Sequence, residues 1–240
     1  MNNNSLVAAI FCDLEKTFDC VNHKILLAKL KFYGITDIHY KLYKSYLTDR
    51  FQRTLLYNEN GNFTISSWEK VEHSVPQGSV LGPLLFLIFI NDLPKFINRT
   101  SVPILFADDT SILVSHPNPQ VYHDTINMVF HTLNDWFRNT FLSLNLAKTQ
   151  FIKLVTKKNS PTEINITYDD KQIPVLTSTK FLSLTVTSTL TWLNHTDFLT
   201  KKLSKTCYLI RNIKPYLSNS TLKMVYHALF HSTMSYGIKF

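Results

Sequence analysis

Two aspartates stand side by side in an apolar stretch, Asp108 and Asp109, between Val102–Phe106 and Ser111–Val114. Adjacent carboxylates repel each other and are costly to desolvate, and a divalent cation offsets both costs. The same dipeptide is also common in plain turns, so its meaning depends on the rest of the chain. A third acid, Asp13, ends another apolar run, Leu6–Cys12. If the two runs are neighbouring strands, three carboxylates meet at one sheet edge, and hard oxygen ligands of that kind select Mg²⁺ or Mn²⁺. Two such ions roughly 3.5–4 Å apart clamp the attacking and leaving oxygens of an in-line phosphoryl displacement.

The elements that must position these acids follow from pattern. Val102–Phe106 and Ser111–Val114 are expected to be short buried strands, with Asp108-Asp109-Thr110 as the hairpin turn. Leu6–Cys12 is expected to be a third buried strand. Asn22 is placed to cap a helix that runs to about Phe32 and stops at Gly34. A second helix is expected over 38–47, with Tyr40, Leu42, Tyr43, Tyr46 and Leu47 in the core. Strands 51–57 and 63–71 flank the hairpin signal at 58–61. The stretch 75–83 is turn-rich, and an apolar helix is expected from about Leu84 to Ile90. Val121, Ile126, Val129, Leu133 and Trp136 mark a helix over 120–138. The remainder up to Val186 is expected to hold strands at 150–155, 164–168, 172–175 and 181–186, with a turn at 159–161. Two helices close the chain, one over 196–213 and one starting near Ser218 and carrying Leu222, Val225, Tyr226, Leu229 and Phe230 on one face.

Composition sets the bounds. The chain has 240 residues, 45% hydrophobic, enough to build a core in one large domain or two small ones. Its net charge is +8. From Phe181 onward, seven basic residues face a single acid, Asp197, a net +6 that leaves +2 for the first 180 residues. That excess suits a polyanionic partner, and it also suits ordinary solvated helix faces. Cys12, Cys20 and Cys207 show no paired spacing, which excludes a disulfide framework or zinc knuckle and fits a reducing compartment. Leu6–Cys12 lacks the basic flank of a signal peptide, and 80–90 is too short to span a bilayer. An intracellular protein of the nucleus or cytoplasm is expected, neither secreted nor membrane-bound.

Four ordered segments, 11–23 around Asp13, 75–86 around Pro76-Gln77-Gly78, Phe106–Asp109, and Leu144–Thr149, resemble motifs A, B, C and D of reverse transcriptases. The likeness is to the polymerases of non-LTR, LINE-type and jockey-like retrotransposons, and it extends through Phe181-Leu182, Trp192 and His195 to Tyr236-Gly237. It implies an α+β fold: a polymerase palm with a small antiparallel sheet packed on helices over residues 1–187, then a partial helical thumb over 188–240. It implies an RNA-directed DNA polymerase that takes an RNA template, a DNA primer, dNTPs and two Mg²⁺ or Mn²⁺ ions. Asp13, Asp108 and Asp109 match the metal-binding catalytic acids. Phe18 matches the aromatic gate that excludes a ribose 2′-hydroxyl, although a core phenylalanine is the plainer reading of that residue alone. Gln77 and Gly78 match the nucleotide-facing turn of motif B, and Asp19 and Asn145 are expected to shape their loops. Lys148 matches the motif D general acid toward pyrophosphate, with a solvated lysine as the alternative. Lys201, Lys202 and Lys205 are expected to hold the nucleic-acid backbone.

Some positions depart from the family pattern. Leu182-Ser183 stands where the family shows Leu-Gly, and the fingers motifs that usually precede motif A are not in the twelve residues before Asp13. The chain is therefore expected to be a piece of a larger polyprotein or a truncated copy, which binds nucleic acid but polymerises poorly or not at all. A different class of function, a catalytically incompetent remnant that only binds nucleic acid, fits the same basic charge.

Overall fold

The computed structural model describes residues 5–59, 61–97, 101–155, 167–168 and 171–238, with 167–168 and 171–172 described by backbone alone. By their contacts they divide into two units, Met1–Gln150 with Ile164–Ile173, and Phe151–Glu163 with Pro174–Phe240. No helix among the described residues is long and apolar enough to cross a membrane.

In the first unit, β1 (Leu6–Cys12) is buried along nearly its whole length, with Ala8 and Ile10 fully enclosed. It continues into a two-residue strand, β2 (Leu14–Glu15). Helix α1 (His23–Phe32) starts where expected, because the Asn22 side chain accepts from the amides of Lys24 and Ile25. Capping of this kind is worth about 1 kcal/mol. Gly34, at φ +85°, follows the helix end. Helix α2 (Asp37–Leu47) forms, but only Leu47 of its expected core residues is buried, and Leu42 is largely exposed. The next stretch splits into β3 (Phe51–Gln52), β4 (Leu55–Tyr57), β5 (Phe63–Ile65) and β6 (Glu69–Lys70), two short exposed ladders instead of two long strands.

Helix α3 (Leu81–Ile90) begins three residues earlier than the pattern suggested. Gly82 and Pro83 belong to the turn-rich stretch, yet both lie in the first turn of this helix, where a proline's missing N–H costs nothing. The short helix α4 (Leu93–Ile97) leads to β7 (Val102–Phe106) and β8 (Asp109–His116). Asp109 and Thr110 belong to β8, and the turn is Ala107-Asp108. The expectation that both strands are buried holds for β8 alone. β7 is the outer strand of the β1–β8–β7 antiparallel array and exposes Val102, Ile104 and Phe106. Helix α5 (Pro119–Asn139), capped by Asn118 with proline at its start, packs on β8 and α4. Tyr122, Ile126, Val129, Leu133 and Trp136 form its buried stripe, while Val121 is exposed. Strand β9 (Ser143–Leu144) pairs with β2. This arrangement is the small antiparallel sheet on helices that the motifs imply.

The second unit takes up β10 (Gln150–Leu154) from Phe151 onward, and Phe151 and Ile152 pair in parallel with a short strand, Val175–Leu176. The backbone segments β11 (Thr167–Tyr168) and β12 (Lys171–Gln172) pair with each other in the first unit, and Val175–Leu176 is β13. The expected turn at 159–161 and the first part of the expected strand 164–168 lie outside the described residues. The strand expected over 181–186 is instead a hairpin, β14 (Ser178–Phe181) and β15 (Leu184–Thr187), with Leu182-Ser183 as its two-residue turn. Helix α6 (Leu193–Ile213) follows, and the last helix runs as α7 (Asn219–Val225), a π-turn over Tyr226–His231, and α8 (Ser232–Ser235). None of Leu222, Val225, Tyr226, Leu229 and Phe230 is fully buried. The palm–thumb boundary expected after residue 187 falls inside this unit.

The β14–β15 turn holds both central residues in the left-handed region, Leu182 at φ +45° and Ser183 at φ +67°. A type I′ turn needs this and favours glycine at its second position. The Tyr236 hydroxyl donates to the Leu182 carbonyl at 2.7 Å and holds the turn in place. Ser183→Gly is therefore expected to stabilise the chain by about 0.5–1 kcal/mol, the left-handed penalty of serine less the added freedom of glycine when unfolded. Urea unfolding of the two proteins measures it, and an unchanged or lower midpoint would count against strain at this turn.

Candidate active site

The register of the β1–β8 ladder brings the acids together. Cys12 pairs with Thr110, so Asp13 and Asp109 are the next residues on either side of the ladder's end, and Asp108 sits in the adjoining turn. Ala107, just before it, has φ +52°, a strained setting for a residue with a Cβ. Phe106 and Asp109 close the turn as a strand pair. The acids are close enough to act on each other. The Asp109 carboxyl is pushed up, first by desolvation and then by the charges of Asp108 and Asp13.

Lys148 supplies the opposite charge. Its Nζ lies 3.5 Å from Asp13 Oδ2. The pairing of β2 with β9 brings the two segments together, and the Asn145 amide donates to the Asp13 carbonyl at 2.8 Å. The Asn145 carbonyl then accepts from the amides of Lys148 and Thr149 and from the Thr149 hydroxyl. Asn145 thus shapes its loop through its backbone.

A second junction joins the segment after β2 to the loop before α3. Val75 N–H donates to the Phe18 carbonyl, Ser74 N–H to Val21, and His23 N–H to Glu72. The His23 Nε2–H donates to the Ser74 carbonyl at 2.7 Å, and burial lowers the pKa of this ring. Gln77 Nε2 donates to Asp19 Oδ1 at 2.9 Å, so Asp19 holds the glutamine. The Phe18 ring is half-buried and lies 5.2 Å from that of Phe86, which is fully buried in α3. Gly78 has φ +79° and nothing within 4 Å of an added Cβ, so its backbone conformation is what requires glycine. Close approach is instead met at Gly82, where a Cβ would stand 2.8 Å from the Pro76 carbonyl oxygen. Phe86 and Gly82 were not singled out from sequence, since nothing in their local pattern points to a partner in another loop.

Asp13, Asp108, Asp109 and Lys148 are thus gathered at one end of the sheet, and Phe18, Gln77 and Gly78 share the second junction. Lys201, Lys202 and Lys205 are exposed on α6, in the other unit. There, Lys202 and Lys180 line a concavity of about 370 Å³ with Ser183, His195, Ser232 and Thr233. The His195 Nδ1 accepts from the Thr185 amide, which leaves Nε2 as the ring's donor. Lys180 sits on β14, one hairpin strand and a connecting loop before the α6 lysines, and no local pattern links it to them.

The donor set fits a hard divalent cation. Three carboxylates share the sheet end, and burial pushes the nearby Cys12 thiol up to about 12, so it offers no thiolate. Among the described residues, no three His, Cys, Asp or Glu side chains are already drawn into a cage. The acids converge without closing, and one of them is engaged by Lys148.

Known proteins resemble this chain in sequence and in fold. A family model described as reverse transcriptase (RNA-dependent DNA polymerase) matches residues 2–196. A probable RNA-directed DNA polymerase from transposon X-element of Drosophila melanogaster is 26% identical over 235 residues, 95% of this chain and 25% of that protein. The probable RNA-directed DNA polymerase from transposon BS of the same organism is 28% identical, over 83% of this chain and 22% of its own length. The RNA-directed DNA polymerase from its mobile element jockey is 25% identical, over 81% and 21%. The chain thus spans about a quarter of the length of these relatives. Among solved structures, apo telomerase from Candida tropicalis truncated from its C-terminal domain matches with a TM-score of 0.52 at 15% identity, covering 78% of this chain and 35% of that one. Telomerase from the same organism in complex with a fragment of telomeric RNA matches with a TM-score of 0.52 at 13% identity, over 95% and 38%. At that identity the likeness shows the fold.

The crowding at Asp109 has a measurable consequence. Its folded-state pKa is raised, so the folded chain holds this proton more tightly than the unfolded chain. That contribution is complete below the ordinary carboxylate pKa and is lost as pH rises through the raised one. Asp109→Asn is therefore expected to raise the urea midpoint at neutral pH, with the gain vanishing by about pH 3. A gain that is the same at both pH values would show that repulsion and desolvation at Asp109 are not its source.

Proposed function

The chain belongs to the reverse transcriptase (RNA-dependent DNA polymerase) family, and from that membership we propose that its strand-end acids perform divalent-metal-dependent nucleotidyl transfer for a non-LTR retrotransposon. The observation that carries this is the β1–β8 register, which sets Asp13 beside Asp109 with Asp108 in the adjoining turn. In this reading residues 1–187 are the palm and 188–240 a partial thumb. Asp13 and Asp108 hold the ions, with Asp109 adding to the negative field. Two Mg²⁺ or Mn²⁺ ions, when bound, neutralise charge on the attacking and leaving oxygens of the transferring phosphoryl group.

The other residues bind, orient and exclude. The primer 3′-hydroxyl attacks the α-phosphate of a dNTP chosen by an RNA template, and pyrophosphate leaves. Phe18, backed by Phe86, presses on the sugar at C2′ and leaves no room for a 2′-hydroxyl. Gln77, steadied by Asp19, touches the incoming nucleotide or the template, and Gly78 gives the turn its left-handed backbone. Lys148 carries a proton to the departing pyrophosphate, a role suited to a flexible point charge. Lys201, Lys202 and Lys205 hold the backbone of the primer–template.

Primer extension on an RNA template tests the reading. Single-turnover addition of a dNTP is expected to fall at least about 100- to 1,000-fold in Asp108→Asn, the scale on which lost charge stabilisation slows such chemistry. In the same assay, Phe18→Val is expected to improve use of the matching ribonucleotide about 10-fold or more relative to the dNTP. If nucleic acid binds and no metal supports extension, the binding-only remnant is the correct reading.

Binding itself has a signature. Replacing Lys201, Lys202 and Lys205 with alanine is expected to flatten the slope of log K against log salt by about two to three units. An unchanged slope in a fluorescence-anisotropy titration would make these lysines a solvated face.

A further inference from the structure

The contact between Lys148 and Asp13 bears on more than proton transfer. The ammonium lies 3.5 Å from Oδ2, the side chains of Lys148 and Asp13 being 69% and 39% exposed. The approach is built by the backbone, through the β2–β9 pairing and the Asn145 amide on the Asp13 carbonyl. Lys148 is therefore delivered to the acid cluster by the same turn that ends β9. Its charge offsets the repulsion that the crowded carboxylates impose on one another.

We propose that Lys148 is a resident cation of the acid cluster, competing with the divalent ion for Asp13 and so setting the metal affinity of the site. The inference rests on the reading of Asp13 as a metal ligand. A divalent ion on Oδ2 and an ammonium a few ångströms away repel each other, so the ion gains its place only as the lysine swings out. Lysine suits this exchange: its charge is compact, and its four-carbon stem lets it leave without moving the loop. Once displaced, it is free for an anionic group such as a nucleotide triphosphate. Anything that holds Lys148 away from Asp13 then favours metal uptake, and by linkage the bound metal favours that anion.

Removing the competing charge should tighten metal binding by the free-energy worth of the pair. For a solvated contact of this kind that corresponds to about a two- to fivefold lower Kd. The test is a Mn²⁺ titration of the whole 240-residue chain at low salt, followed by electron paramagnetic resonance of the free ion. No nucleotide or nucleic acid is added. Lys148→Met should bind Mn²⁺ about two- to fivefold more tightly than wild type, and Lys148→Arg, which keeps the charge, should bind no more tightly. The advantage of Lys148→Met should shrink as KCl screens the pair. Asp13→Asn should weaken binding in every background.

The outcomes separate the inference from its premise. If Asp13→Asn weakens binding while Lys148→Met leaves it equal or weaker, Asp13 is a ligand and the competition is overturned. If Lys148→Arg tightens binding as much as Lys148→Met, charge is not the cause, and the proposal is again overturned. If Asp13→Asn leaves binding unchanged, or no variant takes up Mn²⁺, the ligand reading of Asp13 fails and takes the competition with it.

Discussion

Asp13, Asp108 and Asp109 meet at one end of the β1–β8 ladder, where their charges repel one another. Solvent screens part of this repulsion, because Asp108 and Asp109 are exposed, yet desolvation and the neighbouring charges still push the Asp109 carboxyl up. Keeping Asp13, Asp108 and Asp109 together favours a rigid frame behind them. The holding comes from apolar burial behind them: Ala8, Ile10 and Cys12 on β1, and Ile112 and Val114 on β8. Tyr122, Ile126 and Val129 of α5 are buried too, and α5 packs on β8. The antiparallel register converts that burial into position, because a slip of one residue would turn every side chain to the other face. The left-handed Ala107 and the ammonium of Lys148 complete the arrangement. Such a site works against stability and depends on the core to offset the cost.

Much of this was legible in the chain. Two apolar runs around adjacent acids announced a hairpin, and Asn22 and Gly34 marked the ends of α1. The errors have physical causes. The hairpin turn was read as Asp108-Asp109-Thr110 because aspartate is a turn former, whereas Phe106 and Asp109 close a two-residue turn and place Asp109 in the strand. Gly82 and Pro83 belong to a turn-rich stretch, and the first turn of α3 tolerates both. Leu182-Ser183 was read through as strand because neither residue signals a left-handed turn. In α2 an apolar pattern was taken for burial, but a pattern says only that a face could be buried, and Leu42 has no cover among the described residues.

The contacts that organise the site were less visible, because they join segments far apart in the chain. Gln77 and Asp19 are 58 residues apart, and Phe18 meets Phe86 across a comparable gap. No local periodicity records such a pair. Motif order pointed to the right neighbourhood, and the hydrogen bonds show how it is assembled: the segment bearing Phe18 is stitched to the loop bearing Gln77 through backbone amides. A family likeness can name Phe18, Gln77 and Asp19, whereas Phe86 emerges from what Phe18 touches and Gly82 from its close approach to the Pro76 carbonyl. For Asn145 the hydrogen bonds supply the means: its backbone fixes the approach of Lys148. Fold and function remain separate here: the likeness to telomerase concerns the fold, and the chemistry rests on a few acids at one strand end.

The proposed chemistry requires Asp13 and Asp108 to share a divalent cation. Crystals of the chain soaked in Mn²⁺ and measured at a wavelength where manganese scatters anomalously would test it most directly. Anomalous density is expected between the two carboxylates, with metal–oxygen distances of about 2.0–2.6 Å, the range spanned by hard divalent ions on carboxylate oxygen. Density at other residues, or none at the end of the β1–β8 ladder at saturating Mn²⁺, would contradict it.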